Sequence, residues 1–81
     1  MTIGERIKAL RQKKGWSQRE LARLARVRHA TLAELETGLR TETRTDIARR
    51  LAKTLGVTVD YLVGMYEDDE APDPATMALV G

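Results

Sequence analysis

The sequence contains no cysteine, a single histidine and no long apolar segment, and each shortage excludes a class of protein. Without cysteine there is no disulfide framework, no thiolate zinc site and no thiol nucleophile. One histidine cannot form a histidine-rich metal site, so we expect no metal and no cofactor. No apolar run approaches the roughly 20 residues that span a bilayer, and the first residues lack the apolar core of a secretion signal. We therefore expect a cytoplasmic protein with no membrane partner.

The length of 81 residues limits the chain to one small domain with a small core. A barrel or a two-domain enzyme does not fit in this length. The sequence also offers no acid/base pair, activated nucleophile or metal cluster. We therefore predict that the protein is not an enzyme.

The charges are divided unequally along the chain. Residues 1–66 hold all fourteen basic residues and seven acidic ones, a net charge of +7, whereas residues 67–81 hold five acidic residues and no basic one, a net charge of −5. This division predicts a basic domain with a polyanionic partner over residues 1–66. Residues 67–81 are predicted to form an acidic, disordered tail, because they bury too little apolar surface to offset chain entropy.

Apolar periodicity and capping signals predict an all-α domain with five helices. The predicted helices span about residues 3–14, 18–25, 28–36, 45–55 and 59–64. Thr2 with Glu5 and Ser17 with Glu20 form capping boxes, in which each side chain bonds the other residue's amide. For the fourth helix, Thr43 or Thr45 is the expected cap, with Asp46 at the acidic position.

The second and third predicted helices form the pattern of a helix-turn-helix. Two helices that cross steeply need a small residue at the crossing, and Ala22 supplies it. The turn needs one apolar residue, which is Val27. Leu32 and Leu35 give the second helix of the pair an inward face.

This spacing resembles the phage Cro/repressor (XRE-type) helix-turn-helix family. The resemblance covers about residues 3–64 and includes Ser17-Gln18-x-x-Leu21-Ala22, Leu35-Glu36-x-Gly38 and Leu51-Ala52-x-x-Leu55-Gly56-Val57-Thr58-Val59-Asp60-Tyr61-Leu62. It implies a compact five-helix, lambda-repressor-like DNA-binding domain over residues 1–66, followed by the tail. The expected protein is a prokaryotic or phage-encoded regulator, a repressor. It would bind a palindromic or pseudopalindromic operator in double-stranded DNA as a homodimer, with helix 28–36 in the major groove.

The resemblance places base-facing residues on that helix. Arg28 is positioned to pair with guanine, His29 to donate to guanine or a phosphate, and Ala30 to touch a thymine methyl. The alternative for His29 is a solvated surface histidine. Glu34 departs from the family, which often has Arg, Lys or Gln there. Three roles stay open for Glu34: reading cytosine, rejecting other bases, or an ion pair with Arg28 or a neighbouring arginine.

Phosphate contacts are expected on both sides of the recognition helix. The residues assigned to them are Ser17, Gln18, Arg19, Thr31, Arg40, Thr41, Thr43 and Arg44. The resemblance also implies that Gln18 can brace the recognition helix. Arg11 and Glu36 are expected to form a structural ion pair, and Trp16 to pack in the core.

Two residues of the turn depart from the family pattern. Arg26 occupies a position where glycine is common, and Arg28 replaces the usual Ser or Thr cap. A positive φ at Arg26 and the missing cap each cost on the order of 1 kcal/mol.

The residues expected to form the dimer contact are Val59, Val63, Met65 and Tyr66.

Two alternatives to the repressor remain. The first is an antitoxin of a toxin–antitoxin pair, with the same DNA-binding fold and a tail that binds a protein partner. The apolar end Met77–Val80 behind the acidic segment motivates it. The second is a helical protein-interaction module that no longer binds DNA, which Glu34 and the uncapped recognition helix motivate.

Overall fold

The computed structural model describes residues 2–64, and within this range it contains five α-helices and no strand. The helices are α1 (Ile3–Lys13), α2 (Gln18–Ala25), α3 (His29–Thr37), α4 (Thr45–Leu55) and α5 (Val59–Leu62). The predicted all-α, five-helix class is confirmed. The acidic segment 67–81 lies outside the described residues, so its disorder stays a prediction.

Four helix ends differ from the prediction by one or two residues. α3 begins at His29 instead of Arg28, because Arg28 has an extended backbone (φ −69°, ψ 137°) and is the N-cap. α3 continues through Thr37 to the left-handed Gly38. α1 ends at Lys13, with Lys14 as its C-cap, and α5 ends at Leu62, two residues before the positive-φ Gly64.

The capping boxes of α1 and α2 are present as predicted. The Glu20 amide donates to Ser17 Oγ at 3.0 Å, and the Glu5 amide donates to Thr2 Oγ1 at 3.1 Å. The predicted cap of α4 was wrong. Arg44 is the N-cap and makes no side-chain capping bond, because its extended backbone (φ −69°, ψ 151°) directly precedes the helix. Thr45 is therefore the first helical residue.

The core lies where all five helices meet. α3 packs against α1 and α2, α2 packs against α4, and α5 packs against α4. The large side chains that are fully buried are Ile7, Leu21, Leu32, Leu35, Leu51 and Leu62. Trp16 and Val27 are partly buried at the edge of this core, as the sequence predicts. The helix-turn-helix is therefore held on the other three helices.

Two contacts fix α1 on its neighbours. A Cβ added at Gly4 would lie 1.7 Å from the Leu35 carbonyl oxygen, so the backbones of α1 and α3 meet at a distance that only glycine permits. Arg6 is 3 % exposed, and its guanidinium lies 4.8 Å from the centre of the Tyr61 ring. The same guanidinium donates to the Tyr61 carbonyl. Sequence reasoning did not single out Arg6 or Gly4.

Candidate nucleic-acid interface

The turn between α2 and α3 sets the position of α3. Arg26 adopts the left-handed conformation (φ 58°, ψ 44°), which glycine would take without steric cost. The Val27 amide donates to the Ala22 carbonyl at 3.0 Å, closing the end of α2. Arg50 of α4 donates to the Arg26 carbonyl at 3.2 Å. The turn is thus held from both sides.

A chain of four polar side chains connects α1, α2 and α3. Arg11 Nε and Nη2 donate to the two carboxylate oxygens of Glu36, each at 2.8 Å. Gln18 Nε2 donates to Glu36 Oε1 at 3.2 Å. Gln18 Oε1 lies 3.2 Å from His29 Nε2. The chain therefore begins in the interior and ends on the exposed start of α3.

The buried end of this polar chain is strongly paired. The side chains of Arg11 and Glu36 are 11 % and 2 % exposed. The carboxylate of Glu36, hydrogen-bonded to the guanidinium, raises the pKa of Arg11 above its ordinary value. Arg11 Nη1 also donates to the Trp16 carbonyl at 2.8 Å. The pair expected from the sequence is therefore present, and it joins the end of α1 to the end of α3.

The exposed start of α3 carries three of the four residues expected to face bases. Arg28, His29 and Ala30 are all exposed, and Thr31 is half-buried behind them. No side chain among the described residues caps this helix. Its first amides therefore lack a capping side chain, and such amides with the positive end of the helix dipole favour an anion.

Glu34, the fourth of these residues, makes an ion pair with Arg40. Arg40 Nη2 and Nε lie 3.0 and 3.3 Å from Glu34 Oε1, and the Arg40 amide donates to the Glu34 carbonyl at 3.0 Å. The pair is exposed at the surface, at 51 % for Arg40 and 37 % for Glu34. Of the three roles open for Glu34, the structure shows an ion pair, and the partner is Arg40 instead of Arg28.

The remaining residues assigned to phosphate lie on either side of α3. Arg19 is exposed on α2, and Ser17 is exposed at its N-cap, where it bonds Glu20. Thr41 and Arg44 are exposed in the segment before α4, and Thr43 is half-buried there. Arg44 is 88 % exposed and lies 3.7 Å from Asp46, a contact that water screens. This weak contact does not prevent Arg44 from reaching a ligand.

A match to the helix-turn-helix family model covers residues 7–62, which includes α2, the turn and α3. The chain belongs to the XRE-type helix-turn-helix family of DNA-binding proteins. The resemblance inferred from the sequence is confirmed.

Three relatives show how far this XRE-type likeness extends. The chain is 34 % identical over 67 residues to the HTH-type transcriptional regulator ImmR of Bacillus subtilis (strain 168), covering 83 % of this chain and 52 % of ImmR. It thus spans about half the length of that curated relative. The solved N-terminal DNA-binding domain of SinR from Bacillus subtilis is 35 % identical, with a TM-score of 0.76, covering 84 % of this chain and 96 % of that one.

The third relative is a SinR protein/SinI protein complex. It is 32 % identical, with a TM-score of 0.76, and covers 96 % of this chain and 74 % of that one. The fold is therefore shared with solved XRE-type proteins over almost the whole of the basic domain.

The residues assigned to dimerisation are only partly within the described part of this XRE-type domain. Val59 is half-buried against the core, whereas Val63 is 44 % exposed. Val63 borders a groove of about 310 Å³ with Ile3 and the segment Thr41–Thr43. Met65 and Tyr66 lie outside the described residues. The apolar surface at Val63 therefore adjoins a segment assigned to phosphate.

Several surface features differ from the sequence analysis or were missed by it. The apolar periodicity of α2 predicts Leu24 on the inward face, which is wrong, because Leu24 is 41 % exposed. Leu39, which follows the C-cap Gly38 of α3, is 79 % exposed. Leu24 borders a groove of about 580 Å³ that is also lined by Arg26, Arg50 and Lys53. The lining residues come from the end of α2 and from α4, and no local sequence pattern shows that these two segments lie side by side. This basic groove was therefore not predictable.

Metal-binding clusters and membrane-spanning helices are both absent from residues 2–64. Within this range there is no group of three or more His, Cys, Asp or Glu side chains placed to hold a metal ion. None of the helices in the same range has the length and apolar character needed to cross a membrane.

Proposed function

We propose that the protein is a sequence-specific transcriptional regulator that binds an operator in double-stranded DNA, represses transcription, and acts in the cytoplasm where that DNA lies. The observation that carries the proposal is the meeting of α2 and α3 at Gln18 and His29. Arg28, His29 and Ala30 are exposed beside this contact, at the start of α3. In the helix-turn-helix docking mode, the start of the second helix is the part that reaches base edges in the major groove.

Affinity in this proposal comes from the charge of the basic domain. Phosphate contacts supply most of the binding energy and little of the sequence preference. The exposed Arg19, Arg40 and Arg44 are suited to that role, together with Ser17, Gln18, Thr31, Thr41 and Thr43. Preference for particular bases then rests on Arg28, His29, Ala30 and Glu34. Glu34 contributes to this preference by contacting a base itself, or by orienting Arg40 through their ion pair.

A homodimer is part of the same proposal. One recognition helix reads few bases, whereas two copies related by a two-fold axis read half-sites about 34 Å apart. The exposed Val63 and the adjacent groove offer apolar surface for this contact. Val59, Met65 and Tyr66 complete the proposed interface. A palindromic or pseudopalindromic operator follows from this symmetry.

The test is selection of bound duplexes from a random DNA library, with sedimentation measured on the free protein and on the complex. The proposal expects a two-fold symmetric site, two protein chains per site, and an affinity that falls steeply with salt. Negligible affinity for all DNA at low salt would instead favour a protein-interaction module. Repression is tested separately, with a reporter placed behind the selected site.

A protein partner is a second candidate function, alongside DNA binding. The likeness to SinR in a complex with SinI supports it, because that match covers 96 % of this chain. The acidic tail 67–81 is the segment we assign to such a partner, as in an antitoxin. Pull-down with the product of the adjacent gene, using the full chain and a chain ending at residue 66, tests this. Equal capture by both would remove the tail from the proposal.

A further inference from the structure

The polar chain that ends at His29 has a fixed direction of hydrogen bonding. Arg11 can only donate, and it occupies both carboxylate oxygens of Glu36 at 2.8 Å. Glu36 is therefore a charged carboxylate, which can only accept. Its side chain is 2 % exposed, so water contributes little to its bonding. Any other group that hydrogen-bonds to Glu36 must therefore be a hydrogen-bond donor.

Gln18 is the side chain that meets this requirement. Its amide lies 3.2 Å from Glu36 Oε1, and only the NH₂ end can donate there. The reversed amide would set a carbonyl oxygen against a carboxylate oxygen, two acceptors with no proton between them. The buried ion pair therefore decides which end of the Gln18 amide points outward, and that end is the carbonyl oxygen.

The outward oxygen then decides the state of the His29 ring. Gln18 Oε1 accepts only, and it lies 3.2 Å from His29 Nε2. Nε2 must therefore carry the proton, and in a neutral ring Nδ1 is then an acceptor. We propose that Arg11, Glu36 and Gln18 hold neutral His29 as the Nε2–H tautomer, so that its Nδ1 reads a hydrogen-bond donor on DNA. The DNA part of this inference rests on the proposed function.

This assignment narrows what His29 can recognise. In the major groove, adenine offers its N6 amino group and cytosine its N4 amino group as donors. Guanine N7 and O6, thymine O4 and the phosphate oxygens are acceptors, which Nδ1 cannot bond. For the neutral ring, the proposal therefore replaces the sequence-based expectation that His29 donates to guanine or phosphate. Glu36 is a positioning residue, since it acts on the ring only through Gln18.

The first experiment measures the tautomer in the free protein. His29 is the only histidine in the chain, so the ring ¹⁵N spectrum contains one pair of signals. With the ring neutral, one tautomer gives widely separated nitrogen shifts, and the two-bond couplings identify the protonated nitrogen. We expect protonated Nε2 in the wild type, and a smaller separation in Gln18→Leu. The matched control is Gln12→Leu, an exposed glutamine on α1, which should leave the ring signals unchanged.

The tautomer assignment is overturned by protonated Nδ1 in the wild type. It is also overturned if the wild type and Gln18→Leu give equal separations. Glu36→Gln, checked first for a native melting curve, is the second variant. A glutamine at 36 can either donate or accept, so the constraint on Gln18 is released and the separation should fall. Urea melting of each variant separates this effect from unfolding.

The second experiment repeats library selection with the wild type and His29→Ala. The base pair whose preference disappears in His29→Ala is the one that His29 reads. Every base pair carries one amino donor in the major groove, on adenine N6 or cytosine N4, so that donor is removed by placing purine for adenine, or 2-pyrimidinone for cytosine, in the pair. We expect this change to weaken wild-type binding about two- to tenfold more than binding by His29→Ala, the worth of one hydrogen bond. Gln18→Leu should lose the preference at that pair more than at its neighbours. Equal losses in the wild type and in His29→Ala would overturn the proposal. If no DNA binds at all, the proposed function fails, and the ring spectrum alone decides the tautomer.

Discussion

Replacing Gly4 with alanine should destabilise the domain, although alanine is the better helix former. The new Cβ would lie 1.7 Å from the Leu35 carbonyl oxygen and 2.6 Å from its carbon. An ordinary contact between a carbon and a carbonyl oxygen is about 3.3 Å or more, so α1 and α3 must separate by roughly 1.6 Å. The atoms involved belong to the backbone of α3, so no side-chain rotation relieves the clash.

The expected magnitude is a balance of two effects. Helix propensity favours alanine by up to about 1 kcal/mol. Overpacking a close contact costs about 1–3 kcal/mol and occasionally more. Because the neighbour of Gly4 is backbone and cannot rotate away, we expect a cost near the upper end, about 3 kcal/mol. The expected net loss is about 2 kcal/mol. For a domain of this size that lowers the melting temperature by about 8–16 °C. Separation of α1 from α3 would also stretch the Arg11–Glu36 pair.

The assay is urea unfolding, followed by circular dichroism and by the fluorescence of Trp16. Ala9→Gly, at an exposed position on α1, is the matched control and should cost about 1 kcal/mol or less from propensity alone. Truncating Leu35 in the Gly4→Ala background should give no rescue, because the side chain is not what clashes. A Gly4→Ala variant at least as stable as the wild type would refute the reasoning.

Three further predictions concern the ion pair, the DNA contacts and the tail. Glu36→Ala should cost about 3 kcal/mol in urea unfolding, because Arg11 is left buried without its carboxylate; Arg11→Ala combined with it should cost less than the sum of the two single changes. In DNA-binding titrations, Arg28→Ala should weaken the selected operator more than random DNA, whereas Arg44→Ala should weaken both alike and lower the salt slope by about 1. Removal of residues 67–81 should tighten DNA binding at low salt, since five acidic residues no longer compete with phosphate.

Each of these has an opposing result. Strict additivity of the two ion-pair variants would mean that the bidentate geometry contributes nothing to stability. Equal losses on operator and random DNA for Arg28→Ala would remove Arg28 from the base readers. An unchanged affinity after removal of the tail would show that its charge does not act on DNA.

The helices were predictable because their signals are local. The capping boxes at Thr2 and Ser17 lie within four residues of sequence, and both are present. At α4 the local signal failed. Two threonines offered caps, and the path of the preceding loop placed Arg44 at the helix start instead. A loop path depends on contacts distant in sequence, and no capping pattern contains them.

The contacts among the candidate site residues were predictable only in part. The family pattern pointed to the Arg11–Glu36 pair, and it also gave Gln18 a bracing role. That Gln18 bonds Glu36 and His29 together required the packing of three helices. The burial of Arg6 was missed for a similar reason, because its partner Tyr61 is 55 positions away. A basic residue in an amphipathic helix is otherwise expected at the surface.

The hydrogen bond from Arg50 to the Arg26 carbonyl means that the helix-turn-helix depends on a residue outside it. A segment cut out to contain only α2, the turn and α3 would lose Arg50 from one side and Arg11 from the other. Arg26 would then hold a strained backbone conformation without its external anchor, and α3 would lose its tie to α1. Grafting the motif onto another scaffold would therefore mean carrying over α1 and α4 as well, so the smallest transferable unit is close to the whole domain.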